Sequence, residues 1–229
     1  MTVAALVAAH AALLQAVASW PASGAVPPAV ARAALKEQTL EYRIADARTS
    51  LPRRLRGDLR DDVIAIRELA GISRPRPLRV FRVCRARPAA ELRAYYVEAQ
   101  HRYGVRWELL AAVNFVESDF GRLCNRSIAG AQGPMQFMPS TWRTYGRGDV
   151  HDPHAAILGA ARFLVAAGIR RSEARALYRY NPSWAYVDAV ERFHGRIRRD
   201  ARAFLGYYAR QLFVRTPSGR RRLTSFGLG

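Results

Sequence analysis

Apolar residues recur every three to four positions along most of the chain, and strict alternation is nearly absent, so the pattern predicts helices and little strand. Val3, Leu6, Leu13, Val17 and Trp20 share one face of an N-terminal helix, which "AVPPAV" breaks. Ala29 to Leu69 reads as one or two arginine-rich helices that stop near the glycine of "LAGIS". "SRPRPLRVFRVCRARP" has prolines at both ends and no acidic residue, and reads as a linker. From Ala89 the helical period returns. Leu92, Tyr96, Ala99 and Tyr103 share a face, with Gly104 as the stop, and Trp107 to Glu117 forms the next helix. "MPSTWRTYG" is a short helix, and Asp152-Pro153 reads as the cap and first residue of one reaching Ala167-Gly168. Glu173 to Tyr180 and Trp184 to Arg199 follow, and "QLFVRTPSGRRRLT" folds back as a small hairpin around Pro217 to Gly219.

The expected fold class is therefore all-α. We divide the chain into an N-terminal helical segment over 1–70, an Arg/Pro-rich linker over 71–88, a helical unit over 89–200, and a basic C-terminal tail over 201–229.

Charge adds a partner class to this picture. The 229 residues carry a net +19, of which 1–90 hold +8, 91–190 hold +3 and 191–229 hold +8. A basic surface attracts nucleic acid and anionic wall polymers alike. A nucleic-acid surface interleaves basic and aromatic residues, whereas here the aromatic-rich middle is nearly neutral, so no specific nucleic acid is expected. Two cysteines, Cys84 and Cys124, are too few for a disulfide framework and lack zinc-site spacing; pairing and free thiols both remain open. The first 31 residues have no Lys, Arg, Asp or Glu, which suits either an export signal lacking its basic start or a packing helix. No stretch reads as a membrane span.

One residue breaks the apolar logic. Glu117 lies four positions after Val113 and seven after Leu110, so on a helix it points inward with them. Burial raises the pKa of such a carboxyl and suits it to act as a general acid. Asp119 does not share that face, and Asp152 reads as a helix cap.

Four blocks in order, "AAVNFVESDFG", "NRSIAGAQGPMQFMPSTW", "DPHAAILGAARFLVAAG" and "LYRYNPSWAYVDAV", resemble the lytic transglycosylases with a soluble lytic transglycosylase domain, relatives of goose-type lysozyme. The resemblance covers about Tyr95 to Val190 and implies a lysozyme-like helical fold over 89–200. It implies that Glu117 is a single catalytic acid and base, that no cofactor or metal takes part, and that the substrate is the glycan strand of peptidoglycan. By the same resemblance Ser118 neighbours the acid and counts among the substrate-binding residues, Ser127 lines the cleft beside the reacting sugar, and Met135 and Gln136 form the floor. Tyr180 and Asn181 match a "YN" pair whose tyrosine hydroxyl approaches the carboxyl, and Tyr186 joins the saccharide cleft. The same resemblance implies export to the cell wall. A lysozyme-like hydrolase and a non-catalytic wall-binding protein are the alternatives. The arginine-rich flanks are expected to hold an anionic wall, and a monomer is favoured.

Overall fold

The computed structural model describes residues 3–47 and 50–223. Ten α-helices and one two-stranded hairpin are present among these residues. Helix α1 (Val3–Ala18) buries Leu6, Ala9, Leu13 and Val17, a stripe at helical spacing. Helix α2 (Pro28–Asp46) opens on a proline, whose missing N–H costs nothing in a first turn. Helix α3 (Gly57–Ile72) follows, and then α4 (Ala89–Tyr103). The latter ends at Gly104, which takes a left-handed conformation and donates its N–H to the Gln100 carbonyl.

Helix α5 (Trp107–Ser118) is the centre of the molecule, with Leu109 to Val113 all at 0–1% exposure. Around it stand α6 (Pro139–Tyr145), α7 (Pro153–Ala166), α8 (Glu173–Tyr180) and α9 (Trp184–Arg199). Side chains cap three of these: Asp152 accepts from Ala155 N–H, Ser172 from Arg175 N–H, and Ser183 from Tyr186 N–H. The last helix, α10 (Arg202–Tyr208), leads into strands β1 (Phe213–Thr216) and β2 (Gly219–Arg222), which pair antiparallel from Phe213↔Arg222 to Thr216↔Gly219.

The division at 71–88 does not divide the core. One continuous cluster takes Leu13, Val17, Val30, Ala34 and Ala65 from the first three helices together with the interior of α4 to α10, and α3 lies along α9. Nor is 71–88 a free spacer. Cys84 is disulfide-bonded to Cys124, Val83 bridges Leu123, and Arg76 N–H donates to the Arg215 carbonyl. The 201–229 stretch is also more than a tail, since Phe204 and Tyr207 are 1% exposed and pack against α5 and α9. Their stripe of Ala203, Phe204, Tyr207 and Tyr208 spans less than two turns, too short a period to stand out among the arginines. Residues 224–229 lie outside the described residues.

Buried charge fastens the N-terminal helices to the C-terminal ones. Arg210 donates to Glu41 at 2.6 Å and to Asp62 at 3.3 Å, and the Tyr207 hydroxyl donates to Asp62 at 2.6 Å. Arg196 pairs with Glu37 and Asp62, and His10 hydrogen-bonds Glu37 at 3.1 Å. The three carboxylates bring oxygens within 4.8 Å of one another, a spacing a cation would accept. Two guanidiniums already fill that place, so the arrangement is an ion-pair network joining α2, α3, α9 and the end of α10.

Candidate active site

The site is built at the C-terminal end of α5. After Ser118 the chain turns through Asp119 and Phe120, both in left-handed conformations at φ 54° and 62°, and leaves the helix sharply. Glu117, in the last turn, is thereby half-buried instead of running on into a further helical turn. The turn is pinned from several sides. Arg122 donates to the Asp119 carboxylate at 2.5 Å and to the Arg210 carbonyl at 2.6 Å. Phe115 stacks on Phe120 and Tyr207 with centroids 5.4 and 5.0 Å away.

Beneath the turn lies a polar strut. Asn114, fully buried, accepts the Tyr96 hydroxyl at 2.6 Å and donates to the Pro134 carbonyl at 2.8 Å. Ser118 is also fully buried, and its hydroxyl donates to Pro134 O at 2.5 Å while accepting Gly121 N–H at 2.8 Å. Ser118, expected beside the substrate, therefore ties the helix end to the following loop and offers no surface to a ligand. Asn114 went unnoticed in the sequence, although a polar residue in "AAVNFVES", one turn before the carboxyl, was a visible signal.

The Tyr186 hydroxyl donates to Glu117 Oε1 at 2.7 Å. Tyr180 instead gives its hydroxyl to the Met135 carbonyl at 2.7 Å. Both tyrosines lie near the acid: Tyr186 bonds it directly, while Tyr180 stays within its electrostatic reach and gives its hydroxyl to the Met135 loop. Burial pushes the Glu117 carboxyl up to about 7, against the opposing pull of the Tyr186 hydrogen bond. Burial and the nearby carboxyl hold both tyrosines well above their usual range, so they remain donors.

The loop facing Glu117 is a tight turn closed by paired hydrogen bonds between Gln132 and Phe137. Gly133 makes it possible: its φ is +73°, and a Cβ there would lie 2.0 Å from the Val150 carbonyl oxygen. Gln136, itself at φ 48°, has its amide nitrogen committed to the Gly133 and Asn125 carbonyls, at 2.9 and 3.3 Å. Its side-chain oxygen is what remains to offer. Met135 is fully buried and supports the turn from below. Ser127 accepts Ala131 N–H at 2.9 Å, and Asn181 ends α8 with its N–H on the Leu177 carbonyl.

Other carboxylates near the cleft have structural work. Asp119 faces Arg122, Asp149 accepts His151 N–H at 2.9 Å, and Asp152 caps α7. Glu117 is the one whose partner is a neutral hydroxyl.

A family model described as the transglycosylase SLT domain matches residues 94–187. The chain carries a transglycosylase SLT domain. Glu117, Ser127, Gln136, Tyr180 and Tyr186 all fall within the SLT domain, while α1 to α3, α10 and the hairpin lie outside it. Among curated proteins, the chain is similar to the membrane-bound lytic murein transglycosylase F of Thiobacillus denitrificans, at 34% identity over 97 residues. The similar stretch is 42% of this chain and spans 18% of that relative's length. No solved structure gives a significant match. Among the described residues, no helix is long and apolar enough to cross a membrane.

Proposed function

We propose that the protein is a peptidoglycan lytic transglycosylase that cuts the β-1,4 bond between N-acetylmuramic acid and N-acetylglucosamine with Glu117 as its single acid and base. The observation that carries this reading is a carboxyl raised to about 7, hydrogen-bonded by one tyrosine, at the helix end of an SLT domain. Protonated Glu117 gives its proton to the departing glycosidic oxygen. The C6 hydroxyl of the muramic sugar then closes on C1, and the Glu117 carboxylate takes the hydroxyl proton, leaving a 1,6-anhydro end and a regenerated acid. Glycosidases that use water commonly need a second carboxylate as base or nucleophile. A sugar that supplies its own nucleophile does not, and the neighbouring carboxylates here are otherwise engaged. On this reading the Gln136 amide oxygen, which has no partner among the described residues, and Ser127 meet acetamido groups of the substrate. The Cys84–Cys124 disulfide suits an oxidising compartment outside the cytoplasm, where the substrate lies.

Mass spectrometry of the products released from purified sacculi tests the reading. Anhydro ends are expected, reducing ends would make the protein a hydrolase, and intact strands would leave a wall-binding protein.

A further inference from the structure

A groove of about 410 Å³ opens beside the catalytic turn. One wall is SLT domain: Phe115, Val116, Asp119, Ser127 and Ile128. The other is built by parts of the chain outside the SLT match, namely the end of α3, the 73–81 stretch and the hairpin. Val116 and Asp119 flank Glu117 closely along the chain, so the groove opens beside the turn that carries the acid.

Its lining is amphipathic in a particular way. Leu69, Phe81, Phe213 and Val214 give an apolar floor, and Ile128, 68% exposed, stands at the mouth. The cations are of three kinds. Arg210 and Arg220 are neutralised by Glu41 and Asp46. Arg74 and Arg76 line it with no carboxylate partner among the described residues, Arg76 lying 5.8 Å from the Phe81 ring centre. Arg215 donates to the carbonyls of Ala70 and Ser73, which close the end of α3. Among the described residues Asp119 is the sole acidic one of the lining, and Arg122 already holds it.

A further stretch of sugar would fit this lining poorly, since hydroxyls need paired donors and acceptors and the floor offers few. A short chain with methyl groups and free carboxylates fits it well, its methyls on the floor and its carboxylates on guanidiniums of the lining. Resting on the reading of Glu117 given above, we propose that this groove binds the carboxylate-bearing peptide stem attached to the sugar in the cleft. The segments outside the SLT match then select strands that still carry their stems.

The test titrates the full chain with a fluorescent stem peptide freed of sugar, a ligand it cannot cleave. Saturable binding that weakens with salt is expected, and Arg74→Ala/Arg76→Ala should raise Kd roughly three- to tenfold, since exposed ion pairs are individually weak. Arg74 is exposed and Arg76 half-buried, so folding should be unaffected. The same double variant should lose kcat/KM by a similar factor on stem-bearing strands and be unchanged on glycan stripped of stems. No peptide binding, an unchanged Kd in the variant, or equal loss on both glycans would overturn the proposal, as would displacement of the peptide by any polyanion of equal charge. A chain that binds the peptide as described yet cleaves neither glycan would leave the groove standing and remove the transglycosylase reading.

Discussion

At the scale of single residues, the Glu117 carboxyl stores a cost that catalysis uses. Its pKa stands at about 7 in the folded chain against an ordinary 4.5. Ionising it in place therefore costs up to about 3 kcal/mol, less where solvent reaches it. The protonated group's favourable share is fully present below about pH 4.5 and is lost as pH rises through about 7. Glu117→Gln removes the transferable proton and keeps the shape, so cleavage should fall by roughly a hundredfold to ten-thousandfold. The same variant should be more stable than the parent at pH 8 and level with it at pH 5, which urea unfolding at the two pH values checks. Tyr186→Phe removes the hydrogen bond that favours the charged carboxylate. The alkaline limb of the pH–rate profile should then move upward, and a limb that moved down would show that Tyr186 does not set this pKa. Glu117 was legible in the sequence because helical spacing alone turns it inward. Which tyrosine donates to it directly was not, because Tyr180 and Tyr186 are both aromatic and only the approach of α8 and α9 to the loop decides which hydroxyl bonds the acid.

At the scale of elements, the helices that announced themselves did so through their ends. Glu173–Tyr180 and Trp184–Arg199 begin and end where the sequence placed them, each behind a serine cap, and Gly104 stops α4 as its position implied. The hairpin likewise follows its Pro-Ser-Gly turn. What sequence spacing did not carry is the way α5 is held. Asn114 links α4, α5 and the Pro134 loop at a depth where every polar atom needs a partner. Asn114→Ala orphans the Tyr96 hydroxyl, which is fully buried. A loss of about 2 kcal/mol is expected from that donor alone. Adding Tyr96→Phe should recover part of the loss, because removing both partners costs less than removing one. A double variant as unstable as the sum of the two singles would deny the strut its role.

At the scale of the molecule, the basic flanks are partly spent inside. Arg196 and Arg210 are buried against Glu37, Glu41 and Asp62, and Arg192 and Arg199 pair with Asp61 and Asp58. Net charge along the sequence could not reveal this, because partners lie more than a hundred positions apart. The same pairs argue against a free-standing unit at 89–200. Such a chain would keep Arg196 with its carboxylates gone, and breaking a buried pair from one side costs about 3–5 kcal/mol. It would also uncover the face of α9 that meets α3 and the face of α5 that meets Phe204 and Tyr207. Against a total stability of about 5–15 kcal/mol, these losses exceed what one domain can bear. Residues 89–200 alone should therefore be expanded and bind hydrophobic dye, whereas residues 3–223 should unfold in a single cooperative step, as circular dichroism and urea titration would register. If the shorter chain instead unfolds cooperatively, the helices outside the SLT match are an appendage, and the shared core does not bind the molecule into one unit.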